Sequence, residues 1–186
     1  MSGQIRIERD GSLGYLIVDH PERRNALNAA MWRAIPELAR ELDADPAVHV
    51  IILRGAGQEA FESGADISEF SQLRTGEAAE QYDKENIAAF AALQALHKPL
   101  IASIHGFCIG GGVAIASCAD LRYAADDALF AVPAARLGLG YPLSAAQYLV
   151  QLLGPARAKE LFFTARRFDA QGALRLGLLH EVVAKA

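Results

Sequence analysis

The apolar run Pro99-Leu100-Ile101-Ala102-Ser103-Ile104 leads through a short connection to Gly110-Gly111-Gly112, and then to the small-residue stretch Val113-Ala114-Ile115-Ala116-Ser117-Cys118-Ala119. A buried strand that delivers a glycine turn to a helix start restricts the chain to an α/β plan, because the helix has to pack back onto the sheet. The same order leaves the first main-chain N–H groups of the helix without intrahelical acceptors, aimed at one point where negative charge can be held. The plan occurs twice. An apolar run over residues 48–53 leads to Gly55, Gly57 and Ser63-Gly64-Ala65-Asp66, ahead of a helix start at Ile67-Ser68-Glu69-Phe70.

Around these two units the pattern predicts an opening hairpin, with Gln4-Ile5-Arg6-Ile7-Glu8 turning at Asp10-Gly11 into Gly14-Tyr15-Leu16-Ile17-Val18. Asn28 caps a helix whose apolar positions Met31, Trp32, Ile35, Leu38 and Leu42 recur at helical spacing, with a kink or break expected at Pro36. A second long helix is expected over 78–97. The C-terminal part reads as helices: 144–153, then 156–165 opened by Pro155, then 170–175 capped by Asp169. The chain has 186 residues, 52% of them hydrophobic, and no linker or low-complexity tract divides it, so one domain over residues 1–186 is expected.

A net charge of −4 with no cluster of Lys and Arg argues against a nucleic-acid surface; Arg23-Arg24 and Arg166-Arg167 are local pairs. Cys108 and Cys118 lack the spacing of a zinc or redox motif and read as buried apolar residues in a reducing compartment. The N-terminus has no signal-peptide core, and Gly or charge interrupts every long apolar run, so a soluble, cytoplasmic protein without membrane partners is expected. Two ligand classes fail at the glycine triplet itself. A phosphate loop requires Lys-Ser/Thr where Val113-Ala114 stands, and a dinucleotide fingerprint would place its last small residue at Ile115.

Three segments carry a family resemblance: His20-Pro21-Glu22-Arg23-Arg24-Asn25-Ala26-Leu27-Asn28, Phe61-Glu62-Ser63-Gly64-Ala65-Asp66-Ile67 and His105-Gly106-Phe107-Cys108-Ile109-Gly110-Gly111-Gly112. In their order and spacing, and over essentially the whole chain, these resemble the motifs of the enoyl-CoA hydratase/isomerase (crotonase) family. The resemblance implies a spiral of repeated β-β-α units. It also implies an acyl-CoA substrate whose thioester oxygen is held by the N–H groups of Ala65 and Gly111. Arg24, Ala26 and Leu27 would then lie along the nucleotide and pantetheine, with Ser63, Gly64, Asp66, Ile67, Phe107, Gly110 and Pro133 also contacting substrate. Asp66 has an equally good reading as a helix cap. No metal and no separate cofactor are implied, coenzyme A being part of the substrate.

The sequence departs from the pattern of the family's hydratases at both carboxylate positions. Two residues beyond Gly112 stands Ala114, and after Pro133 stands Ala134. Alanine neither moves a proton nor orients water. Of the nearby carboxylates, Glu62, Glu69, Asp126 and Asp127 each read as a cap or a surface charge, and His105 reads as structural. The remaining polar candidate is Tyr141. Its segment Leu137-Gly138-Leu139-Gly140-Tyr141-Pro142 resembles the tyrosine-bearing loop of the family's methylmalonyl-CoA decarboxylases, and a rim aromatic in an acyl pocket is the equal alternative. The open readings are an enolate-stabilising hydratase or isomerase relative, a decarboxylase-like enzyme using Tyr141, and a non-catalytic acyl-CoA binder. The resemblance further implies a homotrimer or hexamer built by C-terminal helices that follow the segment ending at Val183. Those helices are missing from the chain, which is therefore expected to be a truncated core.

Overall fold

Alternating apolar residues at the N-terminus form the expected hairpin. Strand β1 (Gln4–Asp10) pairs antiparallel with β2 (Leu13–Asp19), and Gly11 takes the left-handed turn conformation, φ +56°. The computed structural model describes residues 3–69, 76–141 and 143–185. Phe70 and Pro142, which belong to the helix start and the loop expected above, lie outside them.

From β2 the chain winds as a spiral in which each turn gives one strand to a large sheet and the next to a small one. The first turn is β3 (Val50–Gly55), β4 (Ala60–Glu62) and helix α2 (Gly76–Gln94). The second is β5 (Leu100–Ile104), β6 (Phe107–Ile109) and α3 (Gly111–Ser117). The third is β7 (Leu121–Ala125), β8 (Leu129–Ala131) and α4 (Leu143–Leu153). Helix α5 (Pro155–Thr164), β9 (Phe168–Asp169), α6 (Ala170–Leu176) and β10 (Glu181–Val183) follow. The large sheet runs β1-β2-β3-β5-β7-β10, parallel from β2 onward, and the small sheet runs β4-β6-β8-β9 with only β9 antiparallel. This is the α/β spiral of β-β-α units that the motifs imply.

The step from large to small sheet is tight, and glycine makes it possible. A Cβ on Gly106, which has φ +53°, would stand 1.9 Å from the Glu59 carbonyl oxygen. At the corresponding step after β3, Asn25 is wholly buried. Its Nδ2 donates to the carbonyls of Ala56 and Ala60 (2.9 and 2.7 Å), and its Oδ1 accepts from the His20 N–H. That amide fixes the loop 20–28 to the β3–β4 turn, satisfying main-chain groups no strand reaches.

Helix α1 (Ala29–Ala44) is capped as expected, with Asn28 Oδ1 accepting from the Met31 N–H at 2.9 Å. It continues unbroken through Pro36, against the break expected there. Proline removes a single intrahelical donor, and the buried face of Met31, Trp32, Ile35, Ala39 and Leu42 holds both halves of the helix to the core. Other elements shift. The strand expected over 48–53 is β3, two residues later, and the glycine-triplet helix begins at Gly111, two residues ahead of the small-residue stretch. The C-terminal part is not all helical, since β9 and β10 extend the two sheets. Asp169 caps α6 through the Gly172 N–H at 2.7 Å, and Pro155 opens α5. Both cysteines are buried and free.

Candidate active site

The two glycine-containing turns come together. A Cβ on Gly64 would lie 3.4 Å from the Ile109 carbonyl oxygen, and one on Gly110 would lie 3.9 Å from the Gly64 Cα. Both turns form one wall of a cavity of about 160 Å³ whose lining is mostly apolar. Of the residues singled out in the sequence, Ser63, Gly64, Ala65, Ile67, Gly110, Gly111, Pro133 and Tyr141 line it, as does Ala134.

The backbone at Ala65 is held by its neighbours. Leu27 and Ala65 form an isolated parallel bridge, in which the Leu27 N–H donates to the Gly64 carbonyl and the Asp66 N–H donates to the Leu27 carbonyl, both at 2.9 Å. In a parallel bridge of this kind the middle residue's own N–H and carbonyl project from the opposite edge. Gly111 is the first residue of α3, so its N–H belongs to the orphan donors of the first turn.

Five of the expected contact residues lie outside the cavity lining, each with another local task. Leu27 is fully buried, so what it supplies there is the main-chain bridge. The Ala26 carbonyl lies 3.1 Å from His20 Nδ1. Asp66 Oδ1 accepts from the Ser68 N–H and hydroxyl at 3.0 and 2.7 Å, the capping role read as its alternative. Arg24 pairs with Glu59 at 2.7 Å and lies over the Phe107 ring at 4.9 Å, on an exposed face.

Glu62 corrects the expectation of a cap or surface charge. It is completely buried, and its Oε1 accepts from the Gly64 N–H at 2.5 Å. Among the described residues its Oε2 has no hydrogen-bond partner, and it stands 2.8 Å from where a Cβ of Gly112 would be. Burial pushes the pKa of this carboxyl well above the usual range, opposed only by the Gly64 hydrogen bond. The other three carboxylates are as expected: Glu69 accepts from the Ala29 N–H at the start of α1, and Asp126 and Asp127 are engaged with Lys185.

Tyr141 packs against Phe162, ring centroids 4.9 Å apart, and its hydroxyl donates to the Gly110 carbonyl at 3.2 Å. Burial, followed by the proximity of Glu62, raises its pKa, so it is present as the phenol. Helix α2 brings in polar residues that the sequence reading missed: Tyr82 and Asn86 line the cavity with Phe90. They share a buried helical face with Leu93, a spacing that marks packing on the core equally well. Trp32 Nε1–H donates to the Tyr82 hydroxyl at 3.0 Å, and the Trp32 ring meets Phe90 edge-on.

Among the described residues, no group of three or more His, Cys, Asp or Glu could hold a metal ion, and no helix is long and apolar enough to cross a membrane.

The profile of the family described as Enoyl-CoA hydratase/isomerase matches residues 8–186. The chain is 36% identical to a crotonyl-CoA hydratase of Syntrophomonas wolfei over 179 residues, 96% of this chain and 68% of the relative. It is 39% identical to a peroxisomal Δ(3,5)-Δ(2,4)-dienoyl-CoA isomerase of Arabidopsis thaliana, with the same two coverages. The crystal structure of an enoyl-CoA hydratase/carnithine racemase from Magnetospirillum magneticum superposes with a TM-score of 0.95 at 37% identity, over 97% of this chain and 68% of that one. On the spiral fold, the paired turns and these matches together, the chain belongs to the enoyl-CoA hydratase/isomerase (crotonase) family.

Proposed function

We propose that the protein is an acyl-CoA enzyme that stabilises a thioester enolate with the main-chain N–H groups of Ala65 and Gly111. The observation that carries this reading is that two independently anchored turns bring both residues to the wall of one largely apolar cavity. Donors fixed in advance where an oxyanion develops are worth about 2.7–4 kcal/mol each, because no reorganisation is needed as charge appears. The acyl chain occupies the apolar cavity, and coenzyme A enters as part of the substrate. Two-carboxylate hydration does not fit, since Ala134 on the lining and Ala114 within α3 carry no proton.

Gly111→Pro tests the hole. Proline suits the first helical position and removes the N–H. Turnover is expected to fall by about 100- to 1,000-fold in a folded variant; unchanged turnover would refute the assignment. Product masses from a panel of 2-enoyl-, 3-enoyl- and 2-carboxyacyl-CoA esters, with deuterium exchange at the α-carbon, identify the reaction.

The Tyr141 hydroxyl beside Gly110 favours a second reading, base-free decarboxylation of a 2-carboxyacyl-CoA. Loss of CO2 then generates the enolate, and the phenol orients the carboxylate or assists reprotonation. Under this reading Tyr141→Phe lowers turnover on the carboxylated ester at least tenfold, by loss of a positioned proton donor. A full rate in that variant removes the hydroxyl from the mechanism.

A further inference from the structure

Glu62 is the last residue of β4, and its buried carboxyl touches both turns of the site. One oxygen acts on the turn of Ala65. Oε1 accepts from the Gly64 N–H at 2.5 Å, while the Gly64 carbonyl accepts from the Leu27 N–H at 2.9 Å. These two bonds hold the peptide groups on either side of the Gly64 α-carbon, where φ is +105°. The second of those planar groups contains the Ala65 N–H, and glycine restricts rotation between them least of all residues, so the direction of that donor depends on both bonds. The other oxygen meets the second turn. Oε2 stands 3.3 and 2.8 Å from where Cβ atoms of Gly111 and Gly112 would be, in room that a side chain at either position would fill. A carboxyl is a costly filler there, since among the described residues Oε2 has no hydrogen-bond partner and leucine would avoid that loss. What leucine lacks is the acceptor for the Gly64 N–H.

We infer that Glu62 is a positioning residue for the proposed enolate site, Oε1 setting the direction of the Ala65 N–H and Oε2 spacing that turn from Gly111. Donors aimed at one oxyanion lose their effect when either turns aside, because their fixed arrangement is what spares reorganisation as charge appears. An acyl-CoA that carries no enolate charge gains little from the same alignment. Burial raises the pKa of Glu62, which favours its uncharged form beside a site that gathers negative charge. The inference rests on the cavity being the enolate site of an acyl-CoA enzyme.

The test is calorimetric binding of acetoacetyl-CoA, whose α-carbon between two carbonyls enolises readily, against butyryl-CoA of the same chain length. The wild type is expected to prefer acetoacetyl-CoA at least about tenfold, through donors fixed in advance. Glu62→Leu loses the acceptor and Glu62→Asp the reach to α3; each is expected to cut that preference at least about tenfold by misplacing a donor, with butyryl-CoA affinity little changed. Glu62→Gln keeps both the acceptor and the length, and is expected to retain the preference. If Glu62→Leu fails to fold by circular dichroism, Glu62→Asp decides. The full preference in a folded Leu or Asp variant, or its loss in Glu62→Gln, overturns the role of Glu62 while leaving the enolate site intact. A wild type that binds neither ester, or shows no preference, overturns that site and this inference with it.

Discussion

Gly112→Ala is expected to destabilise the protein by about 3 kcal/mol or more and to lower turnover by at least about 100-fold, effects set by overpacking and by misplacement of reacting groups. The added Cβ would stand 2.6 Å from the Glu62 carbonyl oxygen and 2.8 Å from its Oε2. The first of these atoms cannot swing aside, because it is main chain in a strand paired with β6. Relief requires β4 and α3 to separate, and β4 runs directly into the turn holding Ala65. The variant thus acts on the two turns at once, without touching either proposed donor. Gly140→Ala is the control for stability: among the described residues no atom lies within 4 Å of its added Cβ, and it is expected to unfold as the wild type does. Thermal unfolding and steady-state kinetics on both variants check the pair. Wild-type stability and turnover in Gly112→Ala would show that the close approach of β4 and α3 is not a constraint.

Glu62→Gln is expected to flatten the pH dependence of stability and to stabilise the protein at neutral and alkaline pH. Burial raises the folded-state pKa of Glu62 well above its ordinary value of 4.5. Well below pH 4.5 the side chain is protonated in both folded and unfolded chains and makes no pH-dependent contribution. Above it the unfolded chain ionises while the folded one stays protonated, so stability falls by about 1.4 kcal/mol per pH unit until the folded pKa is reached. Glutamine keeps the acceptor for the Gly64 N–H and has no proton to lose. Chemical denaturation at pH 5, 7 and 8.5 reads the difference. Parallel curves for wild type and Glu62→Gln would mean that the buried carboxyl is not held protonated. In the wild type, the raised pKa also matters beside the site, since an ionised carboxylate between the two turns would oppose the negative charge they are proposed to hold.

What could be read in advance followed the length of each element. The seven-residue strands of the opening hairpin and the capped helix α1 carry enough alternation or helical periodicity to be recognised. Strands β4, β6 and β8 have three residues each, too few for a period to declare itself, although they set the two turns side by side. Glu62 illustrates the cost of that shortness. A single carboxylate between Phe61 and Ser63 reads as a surface charge, and it is parallel pairing with β6 under α3 that removes it from water. The glycine turns were legible because close backbone approach leaves a mark in composition. Tyr82 and Asn86 were not, because a helix face packed on the core and one that lines a cavity have the same spacing in sequence.

Ala65 bridges Leu27 through main-chain atoms, and Gly111 opens a helix, so whatever these two positions contribute belongs to the peptide bond itself. Such groups are indifferent to almost every codon change; only proline deletes the N–H. A glutamate, by contrast, becomes alanine by a single nucleotide substitution, and here alanine occupies positions 114 and 134. On the mechanism proposed above, a scaffold of this kind can lose or exchange its proton-handling side chains one mutation at a time while its main-chain donors persist, and so it can drift among reactions without first losing its substrate.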